Sequence, residues 1–271
     1  MRISIRHEIH QQFAPPARSV IQILRLRPKD CESQHIASWN IDVSLDCGIR
    51  EARDAFGNFV QTLDCEGAVE TLTVLARGEV DTFDTSGLLH GELERFPTDV
   101  FLRDTDHTIA DAEIRDFARA TVKGAKTDLD RPHFLMRALH ESMNLAPTES
   151  IATAAQAFER KAGGAEDFAH VFVAAARTVG IPARCVSGYL APEDPGVDAG
   201  AHAWAEAHVD GLGWIGFDPT ICLCMHDGHV RVACALDCLG CAPLRAPPLA
   251  HGLRTISISV KQTQSTHQKQ S

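Results

Sequence analysis

Gly163-Gly164-Ala165-Glu166-Asp167-Phe168-Ala169-His170-Val171-Phe172-Val173-Ala174-Ala175 is the stretch on which the architecture turns. Phe168, Val171, Phe172 and Ala175 lie at i, i+3, i+4 and i+7, so they share one face of a helix, with Ala165 at its start. Gly180-Ile181-Pro182 ends that helix, a glycine past the last turn and a proline just beyond. Strands follow. Ala183 to Leu190 is one. In His202-Ala203-Trp204-Ala205-Glu206-Ala207-His208-Val209 the residues alternate, placing His202, Trp204, Glu206 and His208 on one face. The turn Asp210-Gly211-Leu212-Gly213 then joins this strand to Trp214–Phe217 as a hairpin, which runs into Asp218-Pro219-Thr220.

Upstream, Asp130-Arg131-Pro132 reads as an N-cap with proline in the first turn. Phe134, Leu135, Ala138, Leu139 and Met143 follow on one helical face. The first third reads differently. Ile3 and Ile5, Val20 to Leu26, the alternating Trp39, Ile41, Val43 and Leu45, and then Leu72 and Val74 are strand patterns divided by Pro15-Pro16, Asp46-Cys47-Gly48 and Gly57-Asn58. These readings give an α+β chain with a β-rich domain over 1–90, a mixed helix-and-strand core over 91–260 and a disordered polar tail over 261–271.

Composition limits the partners. With 44% hydrophobic and 23% charged residues, the chain is an ordinary globular one rather than wholly disordered. A net charge of -10 argues against nucleic acid or an anionic membrane surface, since phosphates are bound by clustered Lys and Arg; peptides or proteins are the expected partners. No run reaches the ~18 apolar residues of a membrane span, and the alternating start, Met1 to His7, is not a signal-peptide core, so a cytoplasmic location is expected. The nine cysteines then read as reduced thiols.

A cysteine at a helix start has its thiolate stabilised by the helix dipole, while a histidine on a neighbouring strand takes the proton and an aspartate orients the histidine. The chain offers His202 and Asp218 in that order, after Ala165 at the helix start.

These segments also resemble a family. Gly163 to His170 is similar to the G-x-C-x-D-F-A-H motif of bacterial transglutaminase-like proteins, and Val179 to Tyr189 looks like their G-I-P-A-R-Y-V-S-G-Y strand. His202-Ala203-Trp204 and Gly213 to Thr220 resemble their H-A-W and G-W-x-x-x-D-P-T elements. Arg25-Leu26-Arg27-Pro28 and Phe56-Gly57-Asn58 look like the accompanying N-terminal domain, and Asp227 to Val230 and Ala242 to Arg245 like the C-terminal segment. The resemblance implies a papain-like core and amide-directed acyl transfer or peptide hydrolysis through a thioester. It implies Ala165, His202 and Asp218 at the catalytic positions, Glu166, Asp167, Trp204 and Tyr189 around the bound ligand, and no metal or cofactor.

The departures matter equally. The family's cysteine is Ala165, its neighbouring glutamine Glu166 and the asparagine after D-P-T Ile221; Cys185 stands for a tyrosine, and Cys234 and Cys238 for aromatic residues. An alanine methyl cannot attack a carbonyl, and losing the nucleophile of such a unit abolishes most of its rate. Two readings stay open: a thiol enzyme whose nucleophile was changed to alanine, or a natural paralogue that keeps the fold for binding. The coincident changes at Glu166, Ile221 and Cys238 favour the second.

Other chemistry is weaker. Cys222, Cys224, Cys234, Cys238 and Cys241, with His226 and His229, invite a zinc reading, but C-x-C and C-x2-C fit structural zinc sites imperfectly, and small buried side chains are expected instead. Cys185 is expected as a buried wall residue. His202 and His208 lie ~20 Å apart along a strand, too far to share one ion. Trp204 is expected beside His202, Glu206 and His208 facing solvent or pairing across the sheet, His170 in the core, and Asp167 as a partner of the helix start.

Overall fold

The computed structural model describes residues 1–89, 94–146, 148, 150–192, 200–246 and 252–263. In chain order the elements are strands β1 (Arg2–Leu24), β2 (Gln34–Val43), β3 (Gly48–Arg53), β4 (Phe59–Thr82) and β5 (Leu88–Leu89); helices α1 (Ala112–Val122) and α2 (Asp130–Ser142); strand β6 (Asn144–Leu145); helix α3 (Ala154–Arg160); strand β7 (Ala162–Gly163); helix α4 (Ala165–Thr178); and strands β8 (Ala183–Leu190), β9 (Ala201–Val209), β10 (Gly213–Asp218), β11 (Leu223–Cys224), β12 (His229–Ala235), β13 (Leu244–Arg245) and β14 (Gly252–Thr263). The class is α+β, with strand predominating over helix.

The first sheet is built on two long antiparallel strands, β1 and β4, with β2 and β3 on the β4 edge and β13 and β14 on the β1 edge. The several short strands expected from the turn-forming residues are partly fused. Pro15 and Pro16 sit where the β1–β4 register slips between Gln12 and Ala17, a bulge that absorbs prolines without ending the strand. Alternation in β1 turns Ile3, Ile5 and Ile9 inward, and Ile3, Ile5 and Val80 join the main core.

Three expectations are corrected here. Cys47 and Cys65 form a disulfide, because Gly48 pairs with Asp64 and so brings the two neighbouring cysteines together. The other seven cysteines are free. The disordered tail expected over 261–271 is wrong for its first three residues: Lys261 to Thr263 pair with Ser4 to Arg2 of β1, and 264–271 lie outside the described residues. Asp130 is the first residue of α2 rather than its cap, and its carboxylate accepts the backbone N–H groups of Lys126 and Thr127.

The second sheet has the order β11-β10-β9-β8-β12, with β5 added to β10. The hairpin read from 202–217 is present, Phe217 opposing Ala205 and Trp214 opposing His208. Helix α4 is wrapped by the rest of the core: every residue from Asp167 to Arg177 is buried. It packs on β8 and β9, where Ala203, Ala205 and Ala207 leave room for its backbone, and Phe172 stacks on Phe217 with ring centroids 5.6 Å apart. Burying each such phenylalanine contributes about 1.5–3 kcal/mol. Gly180, at φ +77°, closes the helix in the left-handed region expected of it.

Candidate functional site

Ala165 is the first residue of α4 and is half-buried. The turn before it is tight, since a Cβ on Gly163 would lie 2.5 Å from that of Asp167. Asp167 is buried and structural, as read from its position. One carboxylate oxygen accepts the N–H of Gly164 at 3.0 Å, satisfying the helix start, and the other accepts the N–H of Ala152 at 2.7 Å. Glu166 is half-buried, and its backbone carbonyl accepts the Cys238 thiol.

On the sheet, His202 and Asp218 are brought together. The Nε2 of His202 lies 2.5 Å from Oδ2 of Asp218, which is buried, while the imidazole keeps a partly exposed edge. The other carboxylate oxygen accepts both the N–H and the hydroxyl of Thr220, at 2.9 and 2.6 Å, fixing the D-P-T turn. With Nε2 committed to the carboxylate, Nδ1 is the nitrogen of His202 left to take up a proton. Helix α4 packs on β9 through the alanines at 203, 205 and 207, and His202, Trp204 and Glu206 alternate with them along the strand.

A second histidine, which the sequence placed in a zinc motif and in the Asp227–Val230 family segment, completes the arrangement. His229 Nε2 reaches the same Asp218 oxygen at 3.2 Å, and its Nδ1 accepts the backbone N–H of His226. That contact sets the tautomer: Nε2 carries the hydrogen and donates to Asp218. Burial alone would raise the Asp218 pKa, but the hydrogen bonds from His202 and His229 outweigh it and hold the carboxyl well below its usual range. Burial lowers the His229 pKa in turn. His202, Asp218 and His229 present ligand atoms within 4.8 Å of one another. A metal on Nε2 of His229 would require hydrogen on Nδ1, opposing the His226 N–H, so a hydrogen-bonded triad accounts for the cluster better than an ion.

Trp204 stacks beside His202, with centroids 6.2 Å apart, and touches His229 edge-on. Its slot exists because Gly188 and Gly216 flank it; a Cβ at 188 would meet the Val230 carbonyl at 2.1 Å and the indole at 2.9 Å. Tyr189 is placed elsewhere. It opposes Ala201, so it points to the sheet face away from His202, and its buried hydroxyl bonds His7 of the first sheet at 3.0 Å. Glu206 is not solvent-facing but pairs across the sheet with Arg184, the second of its two expected placements. It is fully buried between Arg184 and Arg231, which donate to it at 2.6 and 2.5 Å, and Arg184 also reaches Glu94 at 2.7 Å. Burial would raise its pKa, but the two guanidinium groups hold it low. His208 packs edge-on against Trp214, and His170 is buried in the core.

A buried helix opened by a small residue and set against a sheet that carries a histidine–aspartate pair defines a cysteine-protease-like α+β fold. Residues 115–219 match the transglutaminase-like superfamily and residues 3–81 the bacterial transglutaminase-like N-terminal region, and the chain belongs to the transglutaminase-like superfamily. Among curated proteins it is 32% identical over 106 residues to the uncharacterized protein ML0607 of Mycobacterium leprae, a match over 37% of this chain and 37% of that one. It is 36% identical over 74 residues to the uncharacterized protein YebA of Bacillus subtilis, covering 23% of this chain and 10% of the relative. The chain thus matches well under two thirds of either relative. A crystal structure of a candidate cysteine protease from Cytophaga hutchinsonii superposes with a TM-score of 0.78 at 21% identity, over 96% of this chain and 90% of that one. No helix among the described residues is long and apolar enough to cross a membrane.

Proposed function

We propose that this chain keeps the cleft of a papain-like acyl-transfer enzyme but not its nucleophile, and that it binds a peptide or protein partner without turning it over. The observation that supports this most is the pairing of an intact base, His202 held 2.5 Å from Asp218, with an alanine at the start of the neighbouring buried helix. The preserved base and orienter explain the retained recognition; the methyl of Ala165 explains the absent thioester. Glu166, half-buried next to Ala165, belongs to the same proposed cleft, and the fully buried Trp204 stacks on His202.

Cytoplasmic residence belongs to the same proposal. Seven free cysteines support a reducing compartment, and the Cys47–Cys65 pair opposes it; alkylation before lysis, followed by peptide mapping of that pair, decides between them.

The test is Ala165→Cys. If residue 165 looks onto the base, the new thiol has a depressed pKa and reacts with an electrophile such as iodoacetamide at least tenfold faster than the seven native free thiols. His202→Ala in that background removes the advantage. Labelling at the same rate as the native thiols, or labelling indifferent to His202, refutes the proposal. An A165C chain that forms a covalent acyl adduct with a glutamine-containing peptide points instead to a thiol enzyme whose nucleophile was exchanged.

A further inference from the structure

Behind α4, on the side of the sheet away from Asp218, three thiols and an imidazole converge from separate elements. Cys185 comes from β8, His170 from α4, and Cys238 and Cys241 from the turn after β12. Ligand atoms of His170, Cys185 and Cys238 lie within 4.8 Å of one another, and the Cys238 thiol is in hydrogen-bond reach of both the Cys185 and the Cys241 thiols. All four residues are buried. Tetrahedral zinc with bonds of ~2.3 Å to sulfur sets its sulfurs ~3.8 Å apart, so Cys241, which lies outside the 4.8 Å group, joins only if its turn moves inward.

The imidazole is already in the required tautomer. His170 Nδ1 donates to the Ala152 carbonyl at 3.0 Å, and Nε2 bears the lone pair, which accepts the Cys238 N–H at 2.9 Å. A ligating histidine is held in this way by one nitrogen on a backbone carbonyl, while here the other must give up the Cys238 N–H to reach a metal.

The charge balance points the same way. Arg177, buried in the same region and electrostatically coupled to Cys185, donates to the carbonyls of Phe101, Ala183 and Leu236 and to the Thr108 hydroxyl, all neutral oxygens. Among the described residues its hydrogen bonds meet no carboxylate, although the nearby carboxylates of Asp104 and Asp237 favour its charged form. Three thiolates around one divalent ion carry a single negative charge, which a nearby guanidinium favours.

We propose that Cys185, Cys238, Cys241 and His170 Nε2 form a structural zinc site whose net negative charge is offset by Arg177. On binding, each of the three thiols releases a proton to solvent, the imidazole lone pair exchanges the Cys238 N–H for the ion, and no oxidation occurs. The ion ties α4, β8 and the turn after β12 together. This ligand set differs from the Cys222–Cys241 run considered from spacing, because Cys185 and His170 enter only through the fold.

The test uses the full chain purified without chelator. Elemental analysis is expected to give one zinc per chain, and cobalt exchanged into it to give thiolate charge-transfer absorption in the near ultraviolet. Cys238→Ser should lower bound metal at least tenfold, while Cys31→Ser leaves it unchanged. Because the Cys238 variant can fail to fold, the unaltered chain is also titrated with an organomercurial, and zinc should be released as the sulfurs react. A chain that purifies without metal and takes up neither zinc nor cobalt overturns the proposal. So does a disulfide among Cys185, Cys238 and Cys241 found by peptide mapping.

Discussion

Asp218→Asn tests the triad most directly, because its effect follows from which nitrogens carry hydrogen. The Thr220 N–H, at 2.9 Å, holds the amide oxygen on its side, so the new NH2 group faces both imidazoles. His202, partly exposed, can move its hydrogen to Nδ1 and accept from the amide. His229 cannot do the same, because its Nδ1 already accepts the His226 N–H at 3.3 Å. The variant therefore loses one charge-assisted hydrogen bond outright and buries one donor against another. Charge-assisted bonds contribute about 1.5–3 kcal/mol and a buried unsatisfied donor costs about 1–3 kcal/mol, which together give a loss of ~3 kcal/mol or more. That is roughly a hundredfold in the unfolding equilibrium.

Urea unfolding at neutral pH measures the loss. Adding His229→Phe to the D218N chain removes the opposed donor, so the combined loss should fall short of the sum of the two single losses by ~1–2 kcal/mol. Nitrogen-15 shifts of the imidazoles should show the His202 hydrogen moved from Nε2 to Nδ1. A loss below ~1 kcal/mol, with both imidazoles unchanged, refutes the tautomer argument.

Further outcomes follow from the buried charges. Glu206→Gln removes the carboxylate shared by Arg184 and Arg231, and breaking such a buried pair should cost about 3–5 kcal/mol in denaturant unfolding. Replacing an exposed carboxylate such as Glu113, which pairs with Lys161, should change stability by under ~1 kcal/mol in the same assay. Burial lowers His7 to about 4 from 6.5, so between those values the unfolded chain binds a proton that the folded chain refuses. Stability should therefore fall on acidification through that window, by up to ~1.4 kcal/mol per pH unit for this histidine. A flat profile over the same range would show this ring to be solvated. Asp218 acts at lower pH. Its depressed folded pKa contributes stability above the unfolded value of 3.8, lost as pH falls toward the folded one, and D218N should lack that acid limb.

What sequence patterns disclosed was local. The helix over 165–178 and the hairpin over 202–217 follow from periods of 3.6 and 2, and the His202–Asp218 pair lies where that hairpin and the D-P-T turn predict. What they did not disclose depends on register. The Cys47–Cys65 bond needs Gly48 to oppose Asp64, and the Glu206 cluster needs Arg184 and Arg231 on the two strands β8 and β12, 47 positions apart. His229 was visible as a residue of the Asp227–Val230 segment but not as a partner of Asp218. Its placement beside Cys224 and His226 in sequence suggested metal, whereas pairing of β12 with β8 turns it toward the carboxylate. Tyr189 shows the converse error: a residue next to the site in sequence whose side chain alternation sends to the opposite face.

The return of β14 to β1 has a bearing on biosynthesis. Arg2 pairs with Thr263, so β1 waits for a strand translated about 260 residues later. Until residues 252–263 emerge, half of β1 offers an open row of amide and carbonyl groups to any other nascent chain. The whole helical block is translated during that interval, which makes co-translational aggregation along this one edge the natural failure mode of the protein, and a chaperone that shields extended backbone its natural remedy.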